Sequence, residues 1–164
     1  LIPAKPRRLL LAAAVAGIVV AVDQVTTSLV EADLRRPLHL IGPFGLAIGY
    51  NSGSAFSLFT GDAPVLVAVA IVLSAVLVWM AWRARSSAMA VALGLVLGGA
   101  LGNLCDRAFR GHHGDVVDFI TLSHWPTFNV ADACITVGVV LLVALYWWGP
   151  ASAGPSASEP RSRP

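Results

Sequence analysis

Four separate stretches of this chain are long and apolar enough to cross a lipid bilayer, and that leaves few folds open to it. A spanning helix needs about 20 mostly apolar residues, because its backbone must satisfy its own hydrogen bonds where water is absent. Residues 9–30 supply one stretch, interrupted by Asp23, and residues 64–82 supply a second with no charge. Residues 88–104 form a third, short and uncharged with a glycine-rich end; residues 129–148 form a fourth, with Asp132 near its start. Composition agrees: 57% of the 164 residues are hydrophobic and 12% are charged, about half the charged share of a soluble domain. The expected fold is an all-α integral membrane protein with four transmembrane helices, one domain over residues 1–148. Lys5, Arg7 and Arg8 precede the first span as they would in a secretory signal peptide, but the apolar run is too long for one and three more follow. Residues 149–164 are mostly Gly, Ala, Ser and Pro and are expected to be disordered.

The basic residues give an orientation. Lys5, Arg7, Arg8, Arg83, Arg85, Arg161 and Arg163 fall on one side, against the single acid Glu159. Arg35, Arg36, Arg107 and Arg110 fall on the other, with most of the acids. The positive-inside rule then puts both termini in the cytoplasm and the longer loops, residues 31–63 and 105–128, outside. A net charge of +2 with the bases scattered argues against nucleic-acid binding.

The first outer loop has a period of two. Phe44, Leu46, Ile48 and Tyr50 alternate with Gly45, Ala47, Gly49 and Asn51, after Leu38 and Leu40 flank His39. Such alternation reads as strand, and its bare face lets a backbone or ligand come close. Asn51-Ser52-Gly53 signals a turn and residues 55–59 a returning strand. A small β-sheet cradle over about residues 37–60 is expected at the outer surface; an irregular loop is the alternative.

Ionisable groups at membrane depth are costly and usually have a task. Asp23 lies in the outer half of the first span, roughly 20 Å along it at about 1.5 Å per residue. It reads either as a structural partner of a neighbouring span or helix end, or as a direct participant in chemistry. Asp132 opens the fourth span, where negative charge suits a helix N-terminus and Asn129 suits its cap. Asn103 and Arg107, four apart, share a helix face, whereas Asp106 points elsewhere. Asp118 sits between Val116-Val117 and Phe119-Ile120, surroundings that bury a carboxyl and raise its pKa. Asp118 and Asp132 therefore form a candidate pair: two neighbouring carboxylates share one proton and can activate water. No serine has a matched His and Asp context, and Cys105 and Cys134 read as small packing residues. His112, His113, Asp115 and His124 match no zinc spacing and read as solvated loop residues, so neither a metal nor another cofactor is expected.

Five runs, in order, resemble blocks of the lipoprotein signal peptidase (signal peptidase II) family. They are Asp23-Gln24; Tyr50-Asn51-Ser52-Gly53-Ser54-Ala55-Phe56-Ser57; Gly98-Gly99-Ala100-Leu101-Gly102-Asn103-Leu104-Cys105-Asp106-Arg107; Val116-Val117-Asp118-Phe119-Ile120; and Phe128-Asn129-Val130-Ala131-Asp132. The resemblance covers roughly residues 9–148. It implies a monomeric aspartic peptidase of the bacterial inner membrane that acts on diacylglyceryl-modified prolipoproteins among membrane lipids and cuts just before the lipidated cysteine. It further implies Asp118 and Asp132 as the catalytic dyad, Asn51, Asn103, Arg107 and Asn129 as substrate-holding polar residues, and Asp23 and Asp106 as supporting acids. Sensitivity to the cyclic peptide globomycin, bound across the dyad, is implied as well. Thr27 stands where many members carry lysine, Ala133 where serine is common, and the run His112-His113-Gly114-Asp115 is slightly longer than usual. A small proton-coupled transporter or channel subunit is the competing class, with the intramembrane acids as a proton relay. Presenilin-type peptidases are disfavoured, because in the run His112-His113-Gly114-Asp115 the first glycine of Gly-x-Gly-Asp is missing, with His112 in its place.

Overall fold

The structure is a computed structural model that describes residues 4–53 and 63–148. Helix α1 (Ala4–Asp33) leads into strands β1 (Leu38–Ile41) and β2 (Phe44–Asn51). Helices α2 (Ala63–Trp82) and α3 (Ser87–Phe109) follow, then strands β3 (Val116–Leu122) and β4 (Trp125–Phe128), and finally helix α4 (Val130–Trp148). All four helices are long and apolar enough to cross a membrane. Each begins or ends within a few residues of its expected bounds, except that α1 is longer at both ends and α3 runs on to Phe109. That extension keeps Asp106 and Arg107 on a helix.

Small residues let the helices meet. A Cβ at Gly98 of α3 would lie 2.9 Å from the Ala16 carbonyl oxygen of α1 and 2.6 Å from the Val19 Cβ. One at Gly102 would lie 2.7 Å from Asp23 Oδ2 and 3.3 Å from the Ala131 Cβ of α4. Glycine on α3 therefore brings both α1 and α4 into close contact, the small-residue packing that membrane helices use in place of a hydrophobic driving force. Bulky apolar side chains such as Ile18, Val69, Val72 and Val140 point outward and are exposed, as lipid-facing positions must be. At the far end, Ser86 caps α3 by accepting from the Met89 N–H (3.1 Å).

The sheet is antiparallel, in the order β1-β2-β3-β4. The expected cradle drew on the first loop alone; the second loop supplies half the strands. Val116, Val117, Asp118 and Phe119 are all buried, so β3 shows no alternation and did not announce itself as a strand. The returning strand expected at residues 55–59, and the tail at 149–164, lie outside the described residues. A two-residue turn joins β3 to β4 and holds His124 at φ 65. The pairing of β2 with β3 slips between Leu46 and Gly49, after which Gly49 faces Asp118, Tyr50 faces Val117 and Asn51 faces Val116.

Candidate active site

Gly49 and Asn51 alternate along β2, so both present the face that carries Asp118. The Asn51 amide donates to Asp118 Oδ2 (2.9 Å), while its own Oδ1 accepts from the Gly53 N–H (2.9 Å). This second bond fixes the amide so that its NH2 group points at the carboxylate. Asp118 is buried, and its Oδ1 has no hydrogen-bond partner among the described residues. Burial pushes its carboxyl from the usual 3.8 up to about 6; the charge of Asp132 adds to the rise, and the Asn51 bond and the Arg107 charge oppose it.

Asp132 is the third residue of α4, and Asn129 is its cap. The Asp132 N–H donates to Asn129 Oδ1 (2.9 Å), and the Asn129 N–H donates to Asp132 Oδ2 (3.3 Å). This is a reciprocal capping box, with Asp in place of the commoner Glu. Asn103 Nδ2 donates to Asp132 Oδ1 (2.8 Å). Asn129 Nδ2 is shared between Asn103 Oδ1 (2.9 Å) and the Val117 carbonyl (3.4 Å). A continuous chain of bonds thus runs from Asp132 through Asn103 and Asn129 to the residue before Asp118. Arg107, one turn beyond Asn103, donates to the Asn103 carbonyl (3.3 Å), and its charge acts on both Asp132 and Asp118.

Asp23 and Asp106 lie behind this face, both fully buried. Asp23 Oδ1 accepts from the Ala131 N–H (2.9 Å), and Asp106 Oδ2 accepts from the Val117 N–H (3.2 Å). Each acid therefore holds the backbone immediately before one member of the pair. Gln24 joins them, its Nε2 lying 3.1 Å from Asp23 Oδ2, 2.8 Å from Asp106 Oδ1 and 3.2 Å from the Gly102 carbonyl. Arg110 closes the cluster with ion pairs to Asp106 and Glu31, each at 2.6 Å. Arg110 follows Asp106 by four, a spacing that pairs them once the helix runs past residue 104; nothing in the sequence singled out Gln24 beyond its neighbour. His112 is not simply solvated: its Nε2 lies 2.7 Å from Glu31 Oε1, and its ring packs on Tyr50 at 4.7 Å. Among the described residues no three His, Cys, Asp or Glu side chains converge as metal ligands would. Thr27 is fully buried, and Cys105 and Cys134 are half-buried free thiols.

The bundle and this site define a class: a multi-pass membrane protein with two carboxylates at one end, from a strand and a helix start, each held by an asparagine amide and both within reach of one guanidinium charge. The chain belongs to the signal peptidase II family, and residues 15–148 match the description Signal peptidase (SPase) II. It is 44% identical over 149 residues to the lipoprotein signal peptidase of Rhodococcus jostii (strain RHA1), a match covering 87% of this chain and 75% of that one. With the lipoprotein signal peptidase of Mycobacterium leprae (strain Br4923) it shares 40% identity over 151 residues, 88% of this chain and 75% of the relative. A solved bacterial membrane enzyme structure, obtained by the in meso method at 2.3 Å, superposes with a TM-score of 0.76 at 26% identity, over 90% of this chain and 94% of that one. A second, at 1.9 Å, gives a TM-score of 0.76 at 28% identity, over 84% and 93%. The chain is accordingly a membrane peptidase, and the transporter reading is set aside.

Proposed function

We propose that this peptidase removes the signal peptide from diacylglyceryl-modified prolipoproteins, cutting just before the lipidated cysteine, with Asp118 and Asp132 as its catalytic pair. The observation that carries this reading is that Asp118 of β3 and Asp132 of α4 lie within electrostatic reach of each other, with the Asp132–Asn103–Asn129 network ending on the Val117 carbonyl beside Asp118. Asp118 is the proton carrier, being buried with one oxygen unpaired and its pKa raised to about 6. Asp132 is assigned the part of the base, with both its oxygens held by N–H donors.

Asp132 takes a proton from water as the water oxygen bonds to the scissile carbon, and Asp118 gives its proton to the carbonyl oxygen. The resulting gem-diol collapses when Asp132 returns its proton to the nitrogen, the C–N bond breaks, and Asp118 recovers a proton from one hydroxyl. Asn51, exposed at the end of β2, and Arg107 hold the substrate backbone beside the pair. Asn103 and Asn129 hold the pair itself. The basic end of the bundle faces the cytoplasm of a bacterium, so the sheet and the pair face outward at the leaflet where a lipid-anchored substrate sits. The working unit is a monomer in the inner membrane, with the lipid tail resting between helices. Globomycin, spanning the pair, would compete with substrate.

The test is a gel-shift assay with purified protein in detergent. The diacylglyceryl-modified prolipoprotein should be shortened while its unmodified form is not. Cleavage of both forms alike would remove the lipid-dependent reading, and cleavage of neither would remove the substrate assignment.

A further inference from the structure

At the end of the bundle opposite the sheet, a cavity of about 660 Å³ is lined by Arg8, Trp82, Arg83, Ala84 and Arg85. Arg8 comes from the start of α1 and the others from the end of α2 and the turn into α3, so the cavity is made by the fold. Arg8 Nη1 donates to the Ala84 carbonyl (3.2 Å), which fixes its guanidinium against the turn. A guanidinium carries five N–H donors, so this bond leaves most of its capacity unspent. The Arg83 guanidinium lies over the Trp79 ring, 4.9 Å from its centroid. The N-terminus of α3, with its partial positive charge, opens from the same turn.

Nothing described offsets this charge. The acids among the described residues are Asp23, Glu31, Asp33, Asp106, Asp115, Asp118 and Asp132, all in the outer part of α1 or at the sheet end. Asp23 is fifteen positions along α1 from Arg8, roughly 22 Å at about 1.5 Å per residue. Exposed Trp79, Trp82, Tyr146, Trp147 and Trp148 mark the same end of α2 and α4. Aromatic side chains collect where a bilayer's headgroups begin. The cavity thus opens at headgroup depth, presents three arginines and meets no carboxylate among the described residues.

We infer that this cavity binds a phosphate group, that of an anionic phospholipid in the surrounding membrane. Arginine suits the task because its planar fork pairs with phosphate oxygens two at a time. The site lies apart from the catalytic pair and does not depend on the peptidase mechanism. A basic flank that served only to orient the chain would need no shared cavity and would not discriminate among headgroups.

The full chain purified in detergent is titrated with phosphatidylglycerol, with phosphatidylcholine and with inorganic phosphate, and its thermal midpoint is followed. Phosphatidylglycerol should raise the midpoint and the other two should not. In Arg83→Gln/Arg85→Gln the phosphatidylglycerol response should need at least a tenfold higher lipid concentration, about what one lost charge-assisted contact costs. Arg35→Gln/Arg36→Gln removes the same charge from exposed positions at the other end and should respond as the parent does. The single change Arg85→Gln, at an exposed turn position, serves if the double variant does not fold, with a smaller loss in the same direction. Equal responses in the cavity and control variants, or an equal response to phosphatidylcholine, would overturn the site. A full response to inorganic phosphate that needs Arg83 and Arg85 would overturn the lipid as its occupant.

Discussion

Replacing Asp118 by Asn should destroy activity and, at neutral to alkaline pH, make the protein more stable. Asp118 is 1% exposed, and burial is the chief reason its carboxyl moves from 3.8 to about 6. Its folded pKa is raised, so the stability it contributes is complete below the unfolded value and is lost as pH rises through about 6. At about 1.36 kcal/mol for each tenfold in proton affinity, the ionised carboxylate costs the fold about 3 kcal/mol near pH 8. Asparagine is neutral at every pH and can still accept from Asn51. Its NH2 group, however, would occupy the position of Oδ1, which has no partner among the described residues, an offset of about 1–2 kcal/mol. The net gain is about 1–2 kcal/mol near pH 8, or about 2–8 °C in Tm for a chain of this size. Near pH 4.5 the parent's Asp118 is already protonated when folded, most of the ionisation cost is gone, and the gain should vanish. Thermal unfolding of both proteins in one detergent at the two pH values, with turnover measured in parallel, reads this directly. A midpoint shift that is the same at both pH values, or a loss of stability near pH 8, would refute the claim that burying this charge is what the site works against.

Asp132→Asn should also abolish cleavage, each single change costing about 10²–10⁴-fold or more, and the double variant should be scarcely worse than either because the two act as one unit; Asp115→Asn, in the loop before β3, should be nearly silent in the same turnover assay. Gln24→Leu removes the bridge between Asp23 and Asp106 and should lower kcat more than it raises KM, with Gln24→Glu failing to restore it; an unchanged kcat would mean that the bridge is dispensable. Arg107→Ala should cut activity heavily while the protein still inserts and folds, as checked by turnover beside a thermal melt. Chelation with EDTA should leave turnover unchanged, and an activity loss that zinc restores would return attention to the histidines.

Much of the site could be read before the fold was known, for reasons particular to its residues. Asp118 stood out because apolar neighbours flank a carboxylate, and the same neighbours bury it in the structure. Asn129 and Asp132 stood out because a cap and a first-turn acid have a fixed spacing, which the reciprocal bonds realise. The spans were legible because bilayer thickness imposes a length. What stayed hidden was long-range. Strands β3 and β4 lacked alternation or length, and their membership of the sheet depends on β2, more than sixty residues earlier. Asp23 was open to reading as the partner of a helix end, and it accepts from the Ala131 N–H at the start of α4; the task of Asp106 stayed hidden, because it partners a backbone N–H contributed by β3, and no residue type marks such a donor.

The two carboxylates that grip the N–H groups of Ala131 and Val117 both answer to Gln24 on α1. Val117 and Ala131 are synthesised long after α1 has left the ribosome. Until α4 arrives against α1 the backbone before Asp132 lacks its anchor, and until α3 does Asp106 lacks its link to Gln24, so on the proposed assignment an incompletely inserted chain has no hydrolytic centre. On that assignment the peptidase would be inert during its own biogenesis, and the onset of turnover would report the moment its last helix docks.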